Sequence, residues 1–314
     1  RKSRYSLTNK FVEKVILAGG AKKTNIFSIS NKPNLILRER RYDEYLKQTV
    51  NSDIEYKENK DTKKMSKELC VYNNLLRKSF IDIPDFPKDG LKTRNPNRNI
   101  TVNFEDENHK FVRRIFNNGT LKFGGKYHGG WWQRLSSEWR KKINIHNTPT
   151  VELDYSGVHL RILYDQHGLS VPRGDVYDLR EIGYHTIYKK YSNEEVRPVL
   201  KLLLLIMLNA DSEAKAIRAF RWELQDDDNN YPTDLDIPLL ISKFSQLHYQ
   251  LRDKKLFYTG VGKELARKDS EIATDVIEHF TNKQIPILSI HDSFIIDLRH
   301  LKELKEVMEE KYKK

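Results

Sequence analysis

The sequence holds one cysteine, Cys70, among 314 residues. A single thiol excludes an intramolecular disulfide framework and any zinc or iron–sulfur site built on cysteines. Long hydrophobic runs are absent too. The longest, Leu202–Leu208, falls far short of the ~20 apolar residues that span a bilayer. No secretory signal pattern is visible, and the start at Arg1 rather than Met leaves room for an upstream piece. There is no G-x-x-x-x-G-K-[ST] loop, which argues against an ATPase motor, and no H-E-x-x-H. The ten histidines are scattered without zinc-ligand spacing. Secreted, membrane-spanning and collagen-like readings are set aside, and a cytoplasmic protein is expected.

What the chain has in quantity is positive charge, unevenly placed. The formal net charge is +12, yet residues 1–150 hold 32 Lys and Arg against 16 Asp and Glu, and residues 151–314 hold 24 against 28. A basic half beside a slightly acidic one favours a polyanion partner, whose phosphates lysines and arginines neutralise with release of counterions. A solvated lysine-rich surface is the alternative.

Period and punctuation suggest the organisation. Residues 1–62 are polar, with basic clusters at Lys22-Lys23 and Arg38–Arg41. Met65–Ile81 has helical spacing, with Leu69, Tyr72, Leu75, Leu76 and Phe80 on one face. Ile83–Asn99, with Pro84, Pro87, Gly90 and Pro96, reads as a linker. From Ile100 the text is strand-like and rich in turns, and Arg134–Ile143 can form a helix. Thr150–Tyr155 alternates as a strand, and Val158–His167 reads as a helix stopped by Gly168. Helices are expected at Tyr184–Tyr191, Asn193–Asn209 (Pro198 in the first turn), Leu239–Leu256, Gly262–Phe280 and Leu301–Tyr312. Two apolar strands, Ile285–Ile290 and Ser293–Leu298, flank His291-Asp292. The pattern predicts an α+β fold.

Asp154 ends a strand before a helix, and Asp292 sits in a tight turn between strands. Either alone serves equally well as a turn or cap residue. Together, on adjacent strands, two carboxylates can hold divalent ions for phosphoryl transfer. Arg197 and Lys201, at i,i+4, share a helix face suited to nucleotide phosphates, or are two ordinary surface cations. Cations early in a helix oppose the macrodipole, which favours a further reason for their presence. Trp131, Trp132 and Trp139 lie among Arg134, Arg140, Lys141 and Lys142. Such a mixture can stack on bases, although core packing is the expectation for at least two of the three.

These residues resemble family A DNA polymerases. Asp154-Tyr155-Ser156-Gly157-Val158-His159-Leu160-Arg161 matches motif A, D-Y-S-Q-I-E-L-R, at five of eight positions. Arg197-x-x-x-Lys201 is similar to the opening of the fingers helix in motif B. Ser289-Ile290-His291-Asp292-Ser293-Phe294 resembles motif C. The three occur in the family's order, and the resemblance covers roughly residues 120–300. It implies a polymerase-like palm with an antiparallel sheet, helical fingers and a mainly helical N-terminal region. The implied division is 1–99 as a thumb-like or nucleic-acid clamp region, 100–180 and 266–314 as palm, and 181–265 as fingers. It further implies that Asp154, Asp292 and the Tyr155 carbonyl hold two Mg²⁺ ions, with Mn²⁺ as the alternative. Lys201 would bind phosphates and protonate pyrophosphate, Arg197 would hold the outer phosphates, and His291 would lie near the primer terminus. Arg134, Lys126 and one of Arg267 or Lys268 would meet nucleic acid.

The chain departs from the family at telling places. His159 replaces the glutamate that packs under the sugar, which leaves the choice of sugar open. Leu205 and Asn209 stand where the fingers helix has an aromatic and a tyrosine, so Leu205 or Tyr184 is expected to wall the incoming base. Ser293 follows Asp292 where glutamate is usual, which is closer to motif C of phage-type single-subunit RNA polymerases. No paired-acid proofreading motif is apparent. The expectation is a template-directed nucleotidyltransferase, foremost a DNA polymerase using dNTPs on a DNA primer–template. RNA is the alternative template and NTPs the alternative substrate, in an RNA or primase-type enzyme. A basic nucleic-acid-binding protein without catalysis is the rival class, and a two-metal nuclease a weaker one. A replicon of nucleoid, plasmid or phage type, with other replication or repair proteins as partners, fits the leading expectation.

Overall fold

The computed structural model describes residues 34–313 apart from 46, 88–90, 93–100, 103–109, 226–230 and 233. The Lys22-Lys23 cluster and Pro96 lie outside these residues. Strand β1 (Leu35–Asp43) turns back into β2 (Gln48–Ile54), paired antiparallel from Leu37↔Ile54 to Asp43↔Gln48. This corrects the expectation of a mainly helical N-terminal region: among the described residues it opens on a hairpin. Its physical basis is the apolar run Leu35–Leu37, buried throughout, followed by a charged stretch that gives no apolar stripe.

Helix α1 (Lys60–Lys78) starts at a reciprocal cap: the Thr62 N–H donates to Asn59 Oδ1, and the Asn59 N–H donates to Thr62 Oγ1. It buries Leu69, Tyr72, Leu75 and Leu76 as the spacing predicts. After β3 (Ile81–Asp82), β4 (Leu91–Lys92) and β5 (Thr101–Val102) pair only with each other. Strand β6 (Arg113–Phe116) runs parallel to β1 and antiparallel to β7 (Gly124–His128), which completes a sheet ordered β2-β1-β6-β7. The helix expected over Arg134–Ile143 shrinks to α2 (Ser137–Arg140), because the backbone is extended at Leu135 and Ser136.

The second sheet carries the candidate acids. Strands β8 (Asn144–Ile145) and β9 (Thr148–Asp154) are joined by His146-Asn147, both at positive φ, as a tight two-residue hairpin requires. Strand β9 pairs with β11 (Ser293–Asp297), which pairs with β10 (Ile287–Ile290). The order is β10-β11-β9-β8-β3, antiparallel throughout.

The chain between the two acids is helical: α3 (Val158–Gln166), α4 (Asn193–Asn209), α5 (Glu213–Leu224), α6 (Ile237–Leu247), α7 (Tyr249–Asp253) and α8 (Gly262–Asn282). Helix α9 (Leu301–Lys313) closes the described chain. Helix α5 has no counterpart in the sequence reading, and the helix expected at Tyr184–Tyr191 is only a 3₁₀ turn at Ile187–Lys189. The single helix expected over Leu239–Leu256 breaks at His248, whose ring is fully buried. Pro198 sits in the second turn of α4 rather than the first.

Two cores result. Leu35, Leu37, α1 and Ile81–Ile83 share one core with the second sheet, α9 and the C-terminal part of α8. Helices α3 to α7 and Leu265 form the other, and Tyr155 packs against both. The fold is α+β. Among the described residues no helix is long and apolar enough to cross a membrane.

Candidate active site

Asp154 ends β9 directly opposite Ser293, so Asp292, the residue before Ser293, lies beside it at the mouth of the β10–β11 turn. The turn has two residues, with His291 at φ 55°, a conformation a non-glycine residue adopts at a cost. Next to Asp154, the Tyr155 N–H reaches the Asp292 carbonyl at 3.5 Å. The Tyr155 hydroxyl donates to the Met308 carbonyl at 2.7 Å, and its ring meets Phe294 and Tyr312. Asp154 therefore stands on a strand end clamped by α9, with Asp292 beside it in the turn. The surrounding protein mass and then the Asp292 charge push the Asp154 carboxyl up to about 6, against the pull of Lys201 and Arg197.

Glu152, two residues before Asp154 and on the same sheet face, carries no signal in the sequence beyond the polar alternation of the strand. Arg140 grips it with two bonds, 2.8 and 3.0 Å, and the Ser293 hydroxyl donates to it at 2.9 Å. Ser293 thus has a local role: it ties the turn of Asp292 to the strand of Asp154.

The cations come from α4. Ser192 and Glu195 cap its start reciprocally. Arg197, Lys201, Leu205 and Asn209 follow at four-residue steps along one face, and Leu205 is 49% exposed. Arg197 Nε donates to Asp175 at 2.7 Å. Both cations lie over one ring, Tyr177, at 5.1 Å for the Arg197 guanidinium and 5.8 Å for the Lys201 ammonium. Burial pushes the Tyr177 hydroxyl up to about 12; Arg197 works against this, and the charges of Asp175, Asp292 and Asp154 add to it. Tyr177 is thus within electrostatic reach of the acids and of Arg197. Tyr184, the other candidate wall for a base, is half-buried with Lys243 over its ring at 5.4 Å.

The loop holding Asp175 and Tyr177 is fixed from behind. A carbonyl can only accept, so His248 Nε2–H donates to Val176 O at 2.9 Å. Nδ1 then accepts from the Tyr164 hydroxyl at 3.0 Å. Burial drives the His248 pKa down to about 4. Gly157, at φ 65°, begins α3 where a Cβ would come within 2.8 Å of Val176. Neither Asp175 nor Tyr177 carried a recognisable signal in the sequence.

Other expected residues are placed differently. Lys126 does not stand free: it pairs with buried Asp269 at 2.5 Å, and His159 Nε2 lies 3.5 Å from the same oxygen. Burial works to raise the Asp269 carboxyl, but His159 and Lys126 outweigh it and hold it below the ordinary carboxylate range. A signal for Asp269 existed, since it is an acid on the apolar stripe of α8 between Leu265 and Ala273. Arg267 bonds Glu271 at 2.8 Å and packs over Phe116, so it is turned into the protein. Lys268 and Arg134 are exposed. His291 meets His128 ring to ring at 5.7 Å, and burial lowers the pKa of both, His128 to about 4. Trp131 and Trp132 are core residues, while half-buried Trp139 holds Lys142 over its ring at 4.1 Å.

Among the described residues no group of three or more His, Cys, Asp or Glu is arranged to hold a metal ion. A divalent ion here would rest on the two aspartates, a main-chain carbonyl and oxygens of the substrate, a donor set of hard oxygens that suits Mg²⁺. The mutual repulsion of Asp154 and Asp292 is what such an ion relieves. Comparison of the chain with models of known families and with curated proteins finds no match.

Proposed function

We propose that this protein is a template-directed nucleotidyltransferase, similar to family A DNA polymerases, that adds dNTPs to a primer 3′ end. The observation that carries the reading is one constellation: Asp154 beside Asp292, with the Arg197/Lys201 pair within electrostatic reach and Tyr177 under both cations. In this reading 100–180 and 266–314 act as palm, 181–265 as fingers and 1–99 as a clamp for the primer–template.

Arg197 takes the outer phosphates in a fork geometry, its orientation set by Asp175. Lys201 neutralises charge nearer the α-phosphorus and gives its proton to pyrophosphate as the phosphorus–oxygen bond breaks. The primer 3′-hydroxyl gives up its proton to solvent as its oxygen forms the new bond to the α-phosphorus and pyrophosphate leaves. Asp154, Asp292 and the Tyr155 carbonyl would hold Mg²⁺, or Mn²⁺ in its place, which supplies charge stabilisation at the attacking and leaving oxygens. His291 stands at the primer terminus and Leu205 on the base side. His159, backed by Asp269, stands where the sugar is read.

Primer extension with Mg²⁺, offering dNTPs and NTPs separately, tests the reading. Template-dependent extension that vanishes in Asp154→Ala and Asp292→Ala is expected, with the preferred sugar reporting on His159. No incorporation of either sugar, beside salt-sensitive nucleic-acid binding, would replace this reading with that of a binding protein.

A further inference from the structure

The β1–β2 hairpin outruns its sheet. Strand β1 pairs with β6 only over Leu35–Leu37, while its pairing with β2 continues to Asp43↔Gln48. At ~3.3 Å per residue, the strand beyond Leu37 projects by roughly 20 Å as a two-stranded arm. The Gly119 N–H, donating to the Arg38 carbonyl at 2.9 Å, braces its base.

The two faces of the arm differ. Side chains alternate along a strand, so Arg38, Arg40 and Tyr42 share a face with Ile36. The register Ile36↔Ile115↔Lys126 puts that face on the side of the sheet bearing Lys126 and His128. Electrostatics agree independently, since Arg38 is among the charges that lower the His128 pKa. His128 in turn touches His291, beside Asp292. Across β2 the same face holds Thr49, Asn51 and Asp53, and the one acid among them is neutralised by Arg38 at 2.7 Å. Arg40 is exposed, and Tyr42 is 64% exposed. The opposite face continues the core side of Leu35 and Leu37, and there Arg41 is spent on Glu39 at 2.9 Å.

We propose that the Arg38–Tyr42 face of this arm is a docking surface for the backbone of a nucleic-acid duplex. The assignment of that duplex as primer–template rests on the function proposed above. A two-stranded ribbon matches the ~12 Å width of a major groove. Arginine, threonine and asparagine are groups that contact phosphate oxygens and set register without reading sequence. Arg40 and Tyr42 carry the contact, and the basic character of the N-terminal half supplies the attraction.

The test is duplex binding without nucleotide and in EDTA, so that it stands apart from catalysis. A labelled DNA hairpin with a 5′ overhang is titrated by fluorescence anisotropy over a range of salt. Three proteins are compared: wild type, Arg40→Ala/Tyr42→Ala, and Arg41→Ala, which removes the same charge from the other face. The double variant is expected to bind about 10-fold more weakly at ~0.1 M salt, with a salt slope shallower by about one. Arg41→Ala is expected to bind within about twofold of wild type, and unchanged thermal melting of all three excludes a folding effect. Wild-type affinity in the double variant, equal losses in both variants, or no duplex binding by the wild type overturns the proposal. A protein that binds as expected but extends no primer keeps the arm and loses the polymerase reading.

Discussion

The acidic and cationic sides of the site are built in contrasting ways. Asp154 ends β9 and Asp292 sits in the two-residue turn that leads into the adjacent antiparallel strand β11, so their relative position follows from main-chain register. Arg197 and Lys201 stand on a helix of the other core, oriented by a loop residue, Asp175, and by the ring of Tyr177. That loop is held through His248, roughly seventy residues further along the chain. Main-chain pairing fixes the acids, whereas side-chain contacts fix the cations. The acid side should therefore fail only when an acid itself is lost, and the cation side should also be sensitive to substitutions remote from substrate.

The contrast breaks most sharply at the acids. Loss of either aspartate is expected to lower single-turnover incorporation by ~10³-fold or more, equivalent to about 4 kcal/mol of transition-state stabilisation. Thermal stability should hold or rise, because the Asp154–Asp292 repulsion disappears with either one. An unchanged rate in either variant removes the acids from the chemistry.

Asp269 supports the other side of the contrast, since it lies between the elements. It is 2% exposed and joins β7 to α3 through Lys126 and His159. Asp269→Ala leaves an uncompensated, largely buried ammonium and should cost about 3 kcal/mol in urea unfolding. A loss below ~1 kcal/mol would mean that Lys126 swings out to solvent instead.

His248 gives the pH signature of the cation side. Its folded pKa of about 4 lies below the ordinary value near 6.5, so in that window the unfolded chain binds more protons than the native one. Stability from this group is complete above ~6.5 and falls as pH drops towards 4, by up to about 3 kcal/mol. His248→Gln should flatten that part of the wild-type stability curve. The remaining slope combines His128 and His291, which burial also lowers, with Asp154, whose raised carboxyl acts in the opposite sense.

The same contrast separates what the sequence revealed from what it hid. Both acids, the helix of the cations and the strand-turn-strand around His291-Asp292 were legible, because each is a short motif whose neighbours along the chain dictate its conformation. The ends of β9, β10 and β11 fall within a few residues of expectation for the same reason. Asp175, Tyr177 and His248 were not legible: their roles come from segments far apart in sequence. The hairpin arm was hidden because only Leu35–Leu37 of β1 is buried, and an exposed ribbon of charged residues has no apolar period to read. Lys126 and Arg267 were assigned to nucleic acid by type, but their partners, Asp269 and Glu271, could be assigned only in three dimensions.

Ser293 sharpens the comparison at its smallest scale. Its hydroxyl crosses from the turn of Asp292 to Glu152 on the strand of Asp154, a side-chain bond that supplements the main-chain register there. If register alone positions the acids, Ser293→Ala should cost about 1 kcal/mol in stability, the net worth of one hydrogen bond, and leave the incorporation rate within about threefold. Arg140 still holds Glu152 with two bonds in that variant, so the carboxylate keeps its place. A rate loss of tenfold or more at unchanged stability would show instead that the acids depend on side-chain support, and the contrast between an acid side fixed by main-chain pairing and a cation side fixed by side-chain contacts would no longer stand.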